Sequence, residues 1–377
     1  MMKKKSICFI VSSPMTANVF LQKHFEVLTR NYDLYLVANF DTFKFNNSSC
    51  ISGTFNLNIK RNINILSDII SIYKLTKYLN NYKFDAVHTI TPKAGLIGMI
   101  AAFICRIKFR IHIFTGQVWH TKKGLYRFLL QIFDKLIVKL ATNIIVDGNS
   151  QRNYLIKNNI VSINKSIVLG AGSISGVDLN KFISDKNLKN NLRLTLGIKE
   201  DIVVYSFLGR LNFEKGVIDL VKAFINLRVK YNNIRLVIIG FDEGKIINYI
   251  KELFDTTDII FIEDCDKPED YLQIADIFCM PSYREGFGTS ILEASSLEIP
   301  IISSDTYGLL DTIIVNKTGL RHEVGNVNDL TIKMEYLLLD KNTREILGKN
   351  GRQYVLNNFS ANSISNEWLS FYKTLLK

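Results

Sequence analysis

The sequence predicts an α/β protein of two Rossmann-like domains of similar size, facing each other across a cleft. Three observations predict it. Short apolar runs alternate with stretches of helical periodicity along the whole chain, the pattern of parallel strands covered on both faces. The alternation reaches a cluster of glycines and serines at 168–182, with Gly170, Gly172 and Gly176, and then starts again. The final segment, Asn362–Leu376, places Ile364, Trp368, Phe371, Tyr372 and Leu375 at helical spacing.

Strands are expected first at Ile7–Val11, Leu34–Ala38, Ala86–Thr89, Arg110–Phe114 and Asn143–Val146. Between them Val19–Thr29, Leu66–Leu79, Lys93–Ile107 and Tyr126–Leu140 are long enough for helices. The start, Lys3-Lys4-Lys5 followed by Ile7–Val11, imitates a secretory signal. Its apolar run is shorter than the usual ~7–15 residues and no A-x-A site follows, so a first buried strand explains it better. Ala94 to Cys105 is apolar but far short of the ~20 residues that span a bilayer, so it reads as a buried or interfacial helix. In the second half, strands are expected at Val203–Leu208, Arg235–Ile239, Ile259–Ile262, Ile277–Met280 and Ile299–Ser303, with helices such as Val217–Tyr231 and Thr289–Leu297. The expected domains are 1–170, 171–360 and a terminal helix at 361–377.

Hydrophobic residues make up 47% of the chain, and five prolines and no biased linker indicate globular rather than disordered structure. The net charge of +12 is uneven. Residues 1–170 hold 23 Lys/Arg against 7 Asp/Glu, which is +16, and residues 171–377 hold 24 against 28, which is −4. Such asymmetry points to a polyanionic or membrane-surface partner for the first half, with a solvated basic face as the alternative. Cys8, Cys50, Cys105, Cys265 and Cys279 are odd in number and form no CxxC pair, so reduced thiols in a cytoplasmic protein are expected.

Two segments carry chemistry. Pro281-Ser282-Tyr283-Arg284-Glu285-Gly286-Phe287-Gly288-Thr289-Ser290-Ile291-Leu292-Glu293 follows a strand and opens a helix. Gly286 and Gly288 let the backbone approach a ligand, and the amides of Phe287, Gly288, Thr289 and Ser290 at the helix start form an anion site. Glu285 and Glu293 can flank that anion and accept from vicinal hydroxyls. A strand-to-helix turn with two surface carboxylates would show the same residues. In Phe207-Leu208-Gly209-Arg210-Leu211-Asn212-Phe213-Glu214-Lys215-Gly216, Arg210 and Lys215 project from the loop after a strand and can neutralise a diphosphate. Two exposed basic residues are the alternative there. Asp264-Cys265-Asp266 matches a DxD metal motif.

Glu285 and Glu293, separated by seven residues, resemble the E-x7-E signature of glycosyltransferase family 4. Gly209-Arg210 with Glu214-Lys215-Gly216 resembles that family's diphosphate loop. Gly176-Val177-Asp178-Leu179-Asn180-Lys181-Phe182 resembles its interdomain segment. The three occur in family order from Gly176 to Glu293. The resemblance implies a GT-B fold whose C-terminal helix crosses back to the N-terminal domain. It also implies a nucleotide-sugar donor, UDP-linked by family habit, and transfer with retention of anomeric configuration. It implies that metal binding is not expected at the DxD match, Asp264-Cys265-Asp266. By the same implication Arg210 and Lys215 hold the diphosphate, Glu293 the ribose hydroxyls, and Glu285 the donor sugar beside the amides of Gly286, Phe287, Gly288 and Thr289. The chain departs from the family in places. Ser12-Ser13-Pro14 replaces a glycine-rich first loop. Gly116 stands where many members have a His, with His120 as the candidate replacement. Phe261-Ile262-Glu263 stands where relatives often have Phe-Leu-Gly, with Ile262 the donor contact implied there.

The resemblance gives the N-terminal half the acceptor, with Ser13, His88, Lys93, Gly116, Trp119 and Lys122 as candidate contacts. For His88 a structural role is the alternative, and for His120 a plain loop position is. Charge and resemblance together lead us to expect docking of the Ala94–Ile107 region on an anionic cytoplasmic leaflet and a lipid-diphosphate-linked glycan acceptor. That places the protein in O-antigen, capsule or related polysaccharide biosynthesis, cytoplasmic or peripheral on the inner membrane. No cofactor is expected, because the nucleotide sugar is a substrate. Two alternatives stand beside this reading. One is a soluble enzyme of the same fold acting on a small acceptor or epimerising a nucleotide sugar. The other is a nucleic-acid-binding protein, against which the basic residues are not interleaved with aromatic platforms.

Overall fold

The computed structural model describes residues 4–46, 48–60, 64–263, 265 and 267–377. The chain forms two compact units, one of Met1–Ser175 with Ala361–Lys377 and one of Gly176–Ser360.

The first unit runs β1 (Lys5–Ile10), α1 (Pro14–Phe20), α2 (Gln22–Leu28), β2 (Tyr32–Ala38), β3 (Gly53–Asn56), α3 (Ile65–Tyr82), β4 (Ala86–Ile90), α4 (Pro92–Ile104), β5 (Phe109–Phe114), α5 (Gly124–Leu140), β6 (Asn143–Val146), α6 (Asn149–Lys157) and β7 (Ser166–Ile167). Its strands lie in the order β3-β2-β1-β4-β5-β6-β7, all parallel. The apolar run after the amino-terminal lysines is the central strand β1, with Ile7 to Ile10 fully buried. The helix expected from Val19 begins earlier, at Pro14, because Ser13 caps it and proline is favoured at the first helical position. It breaks at Leu21 into α1 and α2.

The Ala94–Cys105 stretch is α4; it is buried from Ala94 to Ala102 and exposes Phe103 and Ile104 only at its carboxyl end. Ala94, Ile97, Met99, Ala101 and Ala102 are inaccessible or nearly so. Its glycines permit the close approach: a Cβ at Gly98 would lie 2.4 Å from Thr89 Cγ2, and one at Gly95 would lie 2.5 Å from His112 Cε1. Edge strands β3 and β7 escaped the sequence pattern because they are short and only partly buried.

The second unit runs α7 (Lys186–Thr195), β8 (Val203–Leu208), α8 (Val217–Arg228), β9 (Ile234–Ile239), α9 (Ile246–Leu253), β10 (Ile259–Ile262), α10 (Pro268–Leu272), β11 (Ile277–Met280), α11 (Thr289–Ser296), β12 (Ile301–Ser304), β13 (Gly319–His322), α12 (Val327–Leu339) and α13 (Lys341–Asn358). Its parallel strands lie in the order β10-β9-β8-β11-β12-β13. That order reverses between β8 and β11, the switch point at which open α/β sheets take ligands. The strand expected from Ile299 starts at Ile301, since Pro300 has no N–H for the ladder.

The last helix, α14 (Ala361–Leu375), belongs to the first unit. Trp368 stacks on His24 at 4.1 Å and on His88 at 4.9 Å, and Tyr372 Oη lies 2.5 Å from His88 Nδ1. The helical spacing of Ile364, Trp368 and Tyr372 is therefore the face that closes the core of the first unit.

Candidate functional site

The two segments singled out by sequence leave the carboxyl ends of β8 and β11, neighbours at the switch point of the second unit. After β8 the chain passes close under the loop after β9, where a Cβ at Gly240 would fall 2.0 Å from Gly209 O. A single helical turn, Phe213–Lys215, then ends on Gly216 at φ +68°. No other residue type suits Gly216, because a Cβ there would sit 2.2 Å from the Pro281 carbonyl oxygen. This contact brings the two loops together.

Three side-chain links join them. Lys215 Nζ lies 2.5 Å from Glu285 Oε1, with only 17% and 10% of the two side chains exposed. Glu285 also accepts from Ser282 Oγ at 2.9 Å. Arg284 donates to Glu214 Oε2 from Nε at 3.0 Å and from Nη2 at 2.5 Å, while Tyr283 N donates to Glu214 O at 2.9 Å. Tyr283 Oη donates to Asp219 Oδ2 at 2.6 Å. Arg210 reaches Glu243, with Nη1 at 3.0 and 2.9 Å from the two carboxylate oxygens, and Asn212 Nδ2 donates to the same carboxylate at 2.9 Å. Arg210, Lys215 and Arg284 thus each meet a carboxylate, so an arriving anion would exchange partners with Glu243 or Glu285 rather than meet bare cations.

The β11 loop is held from behind. Ser304 Oγ donates to Ser282 O at 2.6 Å and Thr306 Oγ1 to Tyr283 O at 3.0 Å. A Cβ at Gly308 would lie 2.1 Å from Glu285 O. Phe287 turns its ring inward against Phe359, at 5.5 Å, so only its main chain can meet a ligand. Gly288, at φ +68°, starts α11, and no side chain caps that helix end. Its first N–H groups therefore retain the dipolar field that favours an anion. Gly286, Thr289 and Ile262 are partly exposed around these loops.

Glu293 sits one turn inside α11. Burial pushes its carboxyl up to about 7; Lys181 draws it down and Glu269 adds to the rise. Lys181 pairs with Glu269 at 3.2 Å. Glu293 is therefore poised to change charge near neutral pH. Sequence reasoning missed Glu214, Asp219, Glu243, Tyr283 and Arg284 as partners. Their signal was present, since four of the five lie within or next to the quoted segments, but side-chain pairing is not written in spacing.

The first-unit candidates divide. Ser13 caps α1 and contacts Thr42 Oγ1 at 3.2 Å. Lys93 Nζ lies 2.5 Å from Asp68 Oδ2. Gly116, at φ +117°, is buried in the loop after β5. Lys122 is partly exposed just before α5, and His120 Nδ1 lies 2.7 Å from Tyr154 Oη. Two candidates are corrected. His88 is fully buried between Phe9 and Trp368 and cannot touch an acceptor; burial pushes its imidazole well below the ordinary range. Trp119 is likewise buried, stacked on Tyr154 at 5.3 Å with Nε1 donating to Asp134 Oδ2 at 2.7 Å. His88 lies in the middle of β4 and Trp119 in the turn after β5, and both rings complete the core of the first unit.

Asp264 and Asp266 of the DxD match lie outside the described residues. Among the described residues no group of three or more His, Cys, Asp or Glu side chains is placed to hold a metal.

Residues 188–354 match the family model described as glycosyl transferases group 1. The chain is 35% identical over 325 residues to the capsular polysaccharide biosynthesis glycosyltransferase CapM of Staphylococcus aureus, covering 85% of this chain and 84% of that protein. It is 28% identical over 313 residues to a UDP-Gal:alpha-D-GlcNAc-diphosphoundecaprenol alpha-1,3-galactosyltransferase of Escherichia coli, covering 80% and 78%. Among solved structures, sucrose-phosphate synthase of Thermosynechococcus elongatus superposes with a TM-score of 0.82 at 19% identity, covering 99% of both chains. Anabaena Alr3699/HepE in complex with UDP and glucose gives 0.80 at 16% identity, covering 97% and 99%. At such identities these likenesses show the fold, two Rossmann-like domains of the GT-B type.

Proposed function

The chain belongs to the group 1 glycosyl transferases, and from that premise we propose that it transfers a hexosyl or N-acetylhexosaminyl group, with retention, from a UDP-linked donor to a lipid-diphosphate-linked glycan. The product serves capsule or O-antigen polysaccharide synthesis at the cytoplasmic membrane face. Support comes from the named activities of the relatives in Staphylococcus aureus and Escherichia coli, and from UDP in the structural neighbour. The family 4 assignment rests on the Glu285/Glu293 pair.

One observation carries the reading: Lys215 and Glu285 meet at 2.5 Å where two loops converge at a switch point, beside a helix amino end without a side-chain cap. A diphosphate placed there draws Lys215 and Arg210 from their carboxylates and takes the first amides of α11. The bond from the anomeric carbon to the phosphate oxygen breaks and a bond to the acceptor hydroxyl forms on the same face. The hydroxyl proton passes to the departing phosphate, so no protein nucleophile is needed. Negative charge grows on that phosphate, and fixed donors facing it lower the barrier. Glu285, released from Lys215, faces the donor sugar, while Glu293 accepts from the ribose hydroxyls. The cations and amides supply the positive field at the phosphate, so no resident cofactor enters this scheme. Ser13, Lys93, Gly116 and Lys122 remain the proposed acceptor contacts, with His120 beside them.

A thermal-shift panel of nucleotide sugars tests the donor site, since a ligand bound only by the native state raises the melting midpoint by mass action. UDP-sugars should raise it. Indifference to every nucleotide sugar, with no transfer to a polyprenyl-diphosphate sugar, would end the proposal.

A further inference from the structure

The expected membrane contact, the apolar run of α4, is core over Ala94–Ala102 and exposes only Phe103 and Ile104 at its carboxyl end, yet the helices on either side of it carry longer apolar surface outward. The crossovers from β3 to β4, β4 to β5 and β5 to β6 advance in one direction across the sheet, so right-handed connections put α3, α4 and α5 on one face. Because α4 packs against both neighbours, α3 and α5 flank it. Each follows a parallel strand, so their amino ends share the carboxyl edge of the sheet, and Lys93 of α4 pairs with Asp68 of α3 there.

On α3, Ile65, Leu66, Ile69, Ile70 and Tyr73 are 54–76% exposed. On α5, Leu125, Tyr126, Phe128, Leu129 and Ile132 are 40–72% exposed. Both sets lie in the amino-terminal half of their helix at spacings of one, three and four, which makes a stripe rather than a scatter. From Lys60 to Lys139 the sequence holds 14 Lys/Arg against 3 Asp/Glu, a surplus of +11 within a chain of +12. The three carboxylates are engaged elsewhere: Asp68 pairs with Lys93, Asp85 accepts from Ser6 N, and Asp134 is buried against Trp119. Lys122 and Lys123 directly precede α5, and Lys74 and Lys77 follow the α3 stripe. An apolar stripe framed by cations is the pattern of a helix that lies in the interface of an anionic bilayer. A comparable stripe on α12 of the second unit, Ile332, Tyr336 and Leu339, has no surplus of cations around it, since Lys333 is matched by Asp329 and Lys230 by Glu335 in the half of the chain that sums to −4.

We propose that the amino-terminal halves of α3 and α5 form a two-helix surface that inserts into an anionic phospholipid leaflet. There it sets the carboxyl edge of the first sheet against the membrane. This rests on the reading of the chain as a transferase for a lipid-linked acceptor and names the surface through which that acceptor is reached. No helix among the described residues is long and apolar enough to cross a membrane, so the contact is one of lying on the bilayer.

The test is vesicle flotation of the full chain with phosphatidylglycerol-containing and pure phosphatidylcholine vesicles, at low and high salt. Wild type should float with the anionic vesicles and lose much of that binding in salt. Leu66→Glu with Ile69→Glu on α3, and Leu125→Glu with Phe128→Glu on α5, should each lower binding by roughly tenfold or more, since every large apolar side chain withheld from the bilayer loses its transfer term. Leu339→Glu on α12 should change nothing. These positions are exposed, so the variants keep their melting midpoint and their thermal response to UDP-sugar. Flotation unchanged in both double variants, absence of flotation by wild type, or a solution dimer that the same variants dissociate would each overturn the proposal. Flotation without any nucleotide-sugar response would uphold this surface while removing the donor assignment.

Discussion

Replacing Lys215 with Ala separates two roles that the same contact could serve. The side chain lies 2.5 Å from Glu285, and both are mostly shielded from water. Breaking a fully buried pair costs about 3–5 kcal/mol because one charge is left stranded. With 17% and 10% of the side chains exposed, the lower end of that range is expected here. The catalytic loss is separate: removing one preorganised contact to a leaving oxyanion lowers the rate by about 10²–10³. A cycle of Lys215→Ala, Glu285→Gln and the double variant resolves them. Melting midpoints report the pair, and turnover of UDP-sugar on a lipid-linked acceptor reports the contact. The double variant should recover most of the lost stability, because no charge is stranded, yet stay at least as inactive as Lys215→Ala. If the double variant regained near-wild-type turnover, Lys215 would serve only to neutralise Glu285, and its assignment to the diphosphate would fail.

Two further outcomes follow from buried carboxyls. Ionised Glu293 accepts from ribose hydroxyls more strongly than its neutral acid does, and its folded value is raised to about 7, so the stronger acceptor form declines as pH falls through that value. The KM for donor should therefore rise below neutrality, by up to about tenfold per pH unit, while Glu293→Gln should show a raised but pH-independent KM; a wild-type donor KM flat from about pH 5.5 to 8 would remove Glu293 from the site. Asp147 follows β6 and is buried, with Oδ1 lacking a hydrogen-bond partner, and burial pushes its carboxyl up to about 8. Its folded value lies above its unfolded one, so its contribution is fully present below the unfolded pKa and is lost as pH rises through 8. Asp147→Asn should thus gain on wild type as pH rises from acid to 8, by at least about 2–4 °C in melting midpoint. Parallel pH profiles for the two proteins would show that the carboxyl is not shielded as described.

Much of the architecture was legible in order along the chain. Val203–Leu208, Ile259–Ile262 and Ile277–Met280 fall where their apolar runs stand, and Gly216 and Gly288 mark the turns that join strand to helix. Strands buried on both faces must be apolar throughout, and turns with positive φ select glycine, so both leave a local record. The short edge strand β3 left almost none, since half its residues face water.

The sequence by itself determined the two repeats of strand and helix, the loops after β8 and β11, and the charge surplus of the first half. These depend on residue type and on neighbours a few positions away. Only the tertiary structure decided that Lys215 answers Glu285 and Arg284 answers Glu214 across 70 residues. It alone decided that His88 and Trp119 close a core rather than line a site. It also decided between the two readings of the Ala94–Cys105 stretch, burying most of α4, and it alone showed that apolar stripes of α3 and α5 are left exposed. The reason is the same in each case. Periodicity records which side chains avoid water, but which of them are covered depends on the elements that pack beside them, and those arrive from distant parts of the chain.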